Sequence, residues 1–261
     1  MTALEIENLS VRYGARSAVS DVSLRLDHGR TVGLVGESGS GKSSVANAVV
    51  GLAPVSAGDI RVNGVSAVGR RSRARQARLR IQLIFQDPYS ALDPRMPVGA
   101  SVAEGTLATG RRWSREARRR RVRELLEQVH VDPDRAGALP GAFSGGQRQR
   151  ITIARALAGE PEVLIADEVT SALDVSVQST VLNLLRELQR TLGLSILFIS
   201  HDLAVVRYIS DEVSVMRHGG IVESGPTEAL LAAPSDPYTE ELLGAVPVLG
   251  RRMTFEETAT P

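Results

Sequence analysis

Gly36-Glu37-Ser38-Gly39-Ser40-Gly41-Lys42-Ser43 is the stretch around which the chain is organised. It follows the apolar run Thr31-Val32-Gly33-Leu34-Val35 and opens into Val45-Ala46-Asn47-Ala48-Val49-Val50. The spacing is G-x-x-x-x-G-K-[ST] in a strand–loop–helix context, the setting a phosphate-binding loop requires. Glycines at 36, 39 and 41 let the backbone fold tightly enough for successive N–H groups to converge on one anion. The helix that follows adds unpaired N–H groups and the positive end of its dipole. Lys42 is expected to reach the β- and γ-phosphates, and the Ser43 hydroxyl to ligate Mg²⁺. A glycine-rich turn of an ordinary βα unit has no need of all these fixed positions together. The loop binds a nucleoside triphosphate.

Outward from the loop, composition bounds the rest. The 261 residues are 43% hydrophobic, 23% charged and 3% aromatic, enough for a globular core in one large domain or two lobes. A net charge of +1 makes no case for nucleic acid or an anionic membrane as a bulk partner. Zero cysteines exclude disulfides, thiolate metal sites and Cys-ligated iron–sulfur clusters. No leader pattern is visible at the N-terminus and no apolar run is long enough to span a bilayer, so a membrane role is expected to come through a partner. Lys42 is the sole lysine, and every other basic residue except histidine is arginine. A lysine kept at that one position fits a demand for a compact ammonium, which a planar guanidinium does not meet.

Residues 4–11 and 18–26 alternate apolar with polar and predict half-exposed antiparallel strands around a turn at Gly14. Tyr13, beside that turn, could stack on a purine base, although a single tyrosine more often only packs. Pro54 to Gly58 predicts a break, followed by a short strand and turn over 59–64. Ile81 to Phe85 predicts a buried strand, and 88–158 mainly helix. Six arginines in 70–80 and eight in 111–123 are expected on solvated helix faces, because aromatic interleaving is sparse. Val163 to Ala166 and Ser195 to Ile199 predict further buried strands. Between them Val177, Val181, Leu184, Leu188 and Leu192 form one helical stripe. With 31–35 and 81–85 these imply a parallel sheet covered on both faces. Residues 211–217 and 221–224 predict a closing hairpin, with helices near 227–232 and 238–243 and a loose tail from Pro247.

The strand at 163–166 ends in Asp167-Glu168, where ligands of α/β sheets sit. Adjacent residues on a strand point to opposite sides, so the pair is expected to divide its labour. Asp167 is expected to hold Mg²⁺ and Glu168 to polarise the attacking water. Gln86 and His201 also end apolar strands; they are expected to sense the γ-phosphate and its water, with Gln86 bridging to Mg²⁺. Ser144-Gly145-Gly146-Gln147 has the form of a helix capping box, and its two glycines could also leave a helix N-terminus open to an anion. If it grips phosphate, Gly146→Asp should remove hydrolysis while folding survives.

Taken together, the phosphate loop, Gln86, Ser144 to Gln147, Asp167-Glu168, Ser171-Ala172-Leu173-Asp174 and His201 resemble, in order, the ATPase subunits of ATP-binding-cassette (ABC) transporters. The resemblance spans about residues 4–246. The segments 85–96, 143–150 and 174–178, with Asp236-Pro237-Tyr238-Thr239-Glu240-Glu241-Leu242-Leu243, are similar to the oligopeptide, dipeptide and nickel importer group. It implies a P-loop NTPase α/β core with a mixed, largely parallel sheet, an N-terminal antiparallel β subdomain and an inserted helical subdomain near 88–158. The nucleotide-binding domain then covers 1–246, and 247–261 is a flexible tail.

The resemblance further implies ATP and Mg²⁺ as cofactors. Glu168, His201, Lys42 and Gln86 are the expected catalytic groups. Ser43, Gln86 and Asp167 are the expected metal site. Nucleotide contacts are expected from Tyr13, then from Gly36, Glu37, Ser38, Gly39, Ser40, Gly41, Lys42, Ser43 and Ser44, and from Gln86. Ser144, Gly145, Gly146, Gln147 and Asp174 would act across a head-to-tail pair with a second ATPase chain, identical or paralogous. Two membrane permeases docking near Gln86 and, indirectly, an extracytoplasmic solute-binding protein complete the expected partners, with no nucleic acid. The expected place is peripheral, on the cytoplasmic face of a bacterial membrane. Peptide import is the leading expectation. Import of nickel or another small solute, or a soluble complex such as carbon–phosphorus lyase, stays open. Val169 stands where the family has proline, which is expected to loosen the turn after Glu168.

Overall fold

A computed structural model describes residues 1–69, 71–87, 91–171 and 173–244. The alternating N-terminal segments form β1 (Thr2–Tyr13) and β2 (Arg16–Asp27), paired antiparallel around Gly14 at φ +60°. With β4 (Val55–Val62) and β5 (Val65–Ser66) they make a four-stranded sheet in the order β2-β1-β4-β5. The expected break at 54–58 is a correction. The strand already runs from Val55, and the glycine marks a register shift opposite Glu7–Ser10. At Gly58, φ is +87° and a Cβ would lie 2.4 Å from the Glu7 and Asn8 carbonyl oxygens, so the chain keeps its strand only because no side chain is there.

The apolar runs form a second sheet of β3 (Thr31–Val35), β6 (Ile81–Ile84), β7 (Val163–Asp167), β8 (Ser195–Ser200), β9 (Glu212–Arg217) and β10 (Gly220–Pro226). Its order is β10-β9-β3-β8-β7-β6, parallel throughout except for β10 on β9. β3 and β8 are buried at every residue, as a strand covered on both faces must be. β6 departs from expectation. It is the sheet edge, Gln82 and Leu83 are only half-buried, and Phe85 is 49% exposed.

Helix α1 (Lys42–Val49) lies between the two sheets, where Val45 and Val49 join Leu4, Leu26, Leu34 and Ile199 in one apolar cluster. Helices α2 (Ser72–Leu79), α3 (Val98–Gly105), α4 (Arg115–Gln128) and α5 (Gly145–Leu157) come next. Then follow α6 (Val175–Leu192), α7 (Leu203–Ile209), α8 (Thr227–Ala232) and α9 (Pro237–Gly244). A second apolar cluster joins α3, α4 and α5 to α6 and the sheet through Leu126, Ile153, Leu157, Leu185 and Phe198.

On α6, Val181, Leu184 and Leu188 are buried as the stripe predicts, joined by Leu182 and Leu185. The stripe fails at its ends, where Val177 is half-buried and Leu192 is 45% exposed. The arginine-rich helices bury only alanines on α2 and Val122, Leu125 and Leu126 on α4, so their arginines line mostly solvated faces. Several brace their own lobe, such as Arg123 on Asp134 at 2.8 Å. The tail expected from Pro247 lies outside the described residues.

One consequence governs the site. Because β3, β6, β7 and β8 are parallel neighbours, the chain leaves all four at the same sheet edge. The phosphate loop, Gln86, Asp167-Glu168 and His201 therefore converge there.

Candidate functional site

The loop from Gly36 to Gly41 is formed by backbone approaches that only glycine allows. A Cβ at Gly36 would lie 2.1 Å from the Met216 carbonyl oxygen, and one at Gly41 would lie 2.5 Å from that of Ala18. Gly41 caps α1 with no side-chain hydrogen bond, and no acid stands in the first turn. The helix thus offers bare N–H groups and an uncompensated positive end.

Lys42 is 4% exposed and folds back on the loop. Its Nζ donates to Gly36 O at 2.7 Å, Glu37 O at 2.8 Å and Ser40 Oγ at 3.4 Å. Burial pushes its pKa down, and the carboxylates of Glu168, Asp167 and Glu37 partly restore it.

The two carboxylates are placed differently from the pleat rule. Asp167 ends β7 and accepts the Ser43 hydroxyl at 3.3 Å. Burial raises its pKa, the Ser43 hydrogen bond lowers it, Glu168 raises it and Lys42 lowers it. Glu168 has left the strand in a left-handed conformation, φ +48°. That turn, and not alternation along a strand, brings its carboxylate to the same cleft as Lys42 and Ser43.

Gln86 Nε2 donates to Glu168 Oε2 at 2.9 Å, and His201 Nδ1 lies 3.4 Å from Oε1. The Glu168 side chain is 16% exposed, held between an amide and an imidazole. Ser171 steadies the turn by donating to the Glu168 carbonyl at 2.9 Å. Val169, expected to loosen that turn, is 1% exposed and packed in the larger core.

The cleft has a volume of about 730 Å³ and is open to solvent. Of the expected nucleotide contacts it gathers Tyr13, Ser38, Gly39, Gly41, Lys42, Ser43, Ser44 and Gln86, together with Glu168. Tyr13 stands at the end of β1, 46% exposed, as a stacking platform would.

The sequence reading missed five lining residues: Arg16, Ser17 and Ala18 on β2, and His218 and Gly219 in the β9–β10 turn. Gly219 N–H donates to Ser40 O at 2.9 Å, and its carbonyl accepts from Ser20 N–H at 2.8 Å, so the hairpin ties β2 to the loop. Only its glycine pair hinted at this.

Ser144 to Gln147 and Asp174 are not among the residues lining the cleft. Ser144 Oγ accepts from Gln147 N–H at 3.3 Å, and Gln147 Oε1 from Ser144 N–H at 3.1 Å, a complete capping box. Asp174 caps α6 by accepting from Val177 N–H at 2.9 Å. The two helix starts touch, and a Cβ at Gly146 would meet Val177 Cγ1 at 2.3 Å. That corrects an expectation: Gly146→Asp strains the packing of α5 on α6, so this variant changes stability as well as charge.

Among the described residues no cluster of three His, Cys, Asp or Glu could hold a metal ion. One carboxylate and one hydroxyl, Asp167 and Ser43, fit Mg²⁺, which takes few protein ligands and completes its shell with phosphate and water.

Residues 19–171 match the family described as "ABC transporter". The chain belongs to that family. The matched ABC segment holds the phosphate loop, Gln86, Ser144 to Gln147 and Asp167-Glu168, while Tyr13, Asp174 and His201 lie outside it. Over 251 residues the chain is 46% identical to the oligopeptide transport ATP-binding protein OppF of Bacillus subtilis (strain 168), covering 94% of this chain and 82% of that one.

Among solved ABC structures it resembles cbiO1 of Clostridium perfringens, part of the ABC transporter complex cbiONQ. There the TM-score is 0.80 at 28% identity, over 88% of this chain and 91% of that one. It also resembles the dimeric ATP-binding cassette MJ0796 in a post-hydrolysis state with ADP and Pi. There the TM-score is 0.75 at 26% identity, over 86% and 98% of the two chains. The fold is that of an ABC ATPase.

Proposed function

We propose that this ABC ATPase hydrolyses Mg·ATP to energise import of peptides through separate membrane subunits. The observation that carries it is Glu168, held between Gln86 and His201 at the mouth of the phosphate loop. Glu168 takes a proton from water as the water oxygen attacks the γ-phosphorus and the bond to the β-phosphate oxygen breaks. Lys42 exchanges its bonds to Gly36 and Glu37 for the β- and γ-phosphate oxygens. Gln86 and His201 hold the Glu168 carboxylate and report whether the γ-phosphate is present. Ser43, Asp167 and Gln86 would hold Mg²⁺, which when bound supplies charge neutralisation at the phosphates.

Tyr13 carries the adenine. The nucleotide-binding domain covers 1–246, with the helical subdomain near 88–158. A second ATPase chain presents its Ser144 to Gln147 segment to the nucleotide, with Asp174 at the contact. The relative named for oligopeptide transport supports the peptide assignment, and the one described as part of an ABC transporter complex supports membrane partners. A groove of about 290 Å³ beside Gln86, lined by Leu83, Phe85, Ala91, Glu104, Ala108 and Arg155, supports docking of a membrane subunit there. Among the described residues no helix is long and apolar enough to cross a membrane. The transporter role supports peripheral attachment, on the cytoplasmic face.

The test is ATP turnover by this chain assembled with its membrane subunits in vesicles. Peptide with its solute-binding protein should stimulate turnover. Stimulation by a nickel chelate alone, or copurification with soluble enzymes in place of membrane proteins, would overturn the peptide assignment.

A further inference from the structure

The Asp-Pro-Tyr-Thr segment near the C-terminus has no part in the reaction described above, yet it reaches the phosphate loop. Tyr238, at the start of α9, is 1% exposed and among the largest fully buried side chains. Its hydroxyl accepts the backbone N–H of Glu37 at 3.0 Å across 201 residues of sequence. Glu37 is the second residue of the loop, and Lys42 binds the carbonyls of Gly36 and Glu37 from within the same loop. The entry to the loop is therefore held by its N–H through Tyr238 and by its carbonyls through Lys42.

Tyr238 is itself clamped. The Arg217 guanidinium lies over its ring at 4.4 Å. Asp236 Oδ1 accepts the Tyr238 N–H at 2.8 Å, and the Glu223 carboxylate accepts the N–H groups of Ser235 at 2.8 Å and Asp236 at 3.2 Å. Arg217 lies on β9, and the preceding residue is Met216, whose carbonyl backs Gly36. A side chain held this firmly loses little freedom in accepting one more hydrogen bond, so it can fix the loop without moving.

We infer that Tyr238 is a positioning residue of the phosphate loop: its hydroxyl sets the Glu37 amide, and so the angle at which the loop meets phosphate. Removing the hydroxyl takes away the acceptor of the Glu37 N–H while the ring stays buried under Arg217. The loop then relaxes to pair that N–H elsewhere, and ATP meets a cradle that must be ordered on binding. The C-terminal segment thus acts on affinity while lying off the reacting atoms.

The inference rests on the nucleotide reading of the cleft, so the test has one arm that needs no nucleotide. The full chain with Tyr238→Phe keeps the ring under Arg217 and lacks only the hydroxyl. Hydrogen exchange at the Glu37 amide of the ligand-free protein should speed at least about tenfold. KM for ATP should rise about fivefold, the scale of one neutral hydrogen bond, with kcat changed less than about twofold. A purely structural tyrosine would lower the melting temperature and leave both the exchange and KM as they were. If exchange at Glu37 is unchanged, or KM does not move, the inference fails. Absence of ATP binding by the wild-type chain would instead remove the nucleotide reading, and the exchange arm then decides the inference alone.

Discussion

Two helix starts in this molecule are glycine-rich, and they are finished in opposite ways. Helix α1 begins at Gly41 with no side-chain cap. Helix α5 begins at Ser144 with a full capping box. The bare start is surrounded in its own chain by Lys42, Ser43, Asp167 and Glu168, so the parts of a nucleotide site are already together. The capped start has its serine and glutamine engaged with each other and lies off that cleft. What α5 can offer an anion is backbone N–H and dipole, and in the proposed function that anion is the nucleotide of a second chain. On the proposed reading, binding is a property of one chain and hydrolysis of two.

The largest break of this comparison is at the bare start. Glu168→Gln should keep ATP affinity within about twofold, because the binding groups are untouched. Turnover should fall at least ~10²-fold, the low end for loss of a general base. Near wild-type turnover in a purified variant would remove Glu168 from the chemistry.

A smaller effect sharpens the same region. Asp167 is a carboxylate whose pKa burial holds above its ordinary 3.8. The folded chain therefore keeps this proton more tightly than the unfolded chain, so the ionised group costs stability above the raised pKa. That cost fades as pH falls through the raised pKa toward the ordinary value. Asp167→Asn should accordingly melt at the same or a slightly higher temperature at pH 7 without ligand. The gain should vanish on acidification. The Mg²⁺ needed for half-maximal turnover should rise at least about tenfold, since even outer-shell partners of a metal are worth that much. A variant that melts lower at pH 7 and keeps its Mg²⁺ requirement would mean that Asp167 is a structural anion.

The sheet and most of the cleft were legible because parallel strands deliver their ends to one edge. Apolar runs mark the strands, and a polar residue just past each run marks the edge, which is how Gln86, Asp167 and His201 are found. Glu168 was found for the wrong geometric reason, since its reach depends on a left-handed φ that the sequence pattern does not report. Arg16 to Ala18 and His218-Gly219 were missed because they join the cleft through the register of β1 on β2 and the packing of a distant hairpin. The strand at Val55 was hidden by Gly58, which reads as a breaker locally but serves a close approach of two backbones. Val177 against Gly146 is likewise a tertiary contact between helices separated by β7.

That last contact decides which substitution at the start of α5 is informative. Ser144 is exposed and serves as an N-cap, a role aspartate fills as well as serine. Ser144→Asp therefore keeps the cap, avoids Val177 and adds one negative charge at the start of α5. Turnover of the assembled transporter, measured beside ATP affinity and melting temperature of the single chain, is the measurement. Affinity and melting should be unchanged and turnover lowered at least ~10²-fold, as for one lost charge-stabilising donor. Full turnover in that variant would show that the capped helix never meets phosphate, and the shared site would be contradicted.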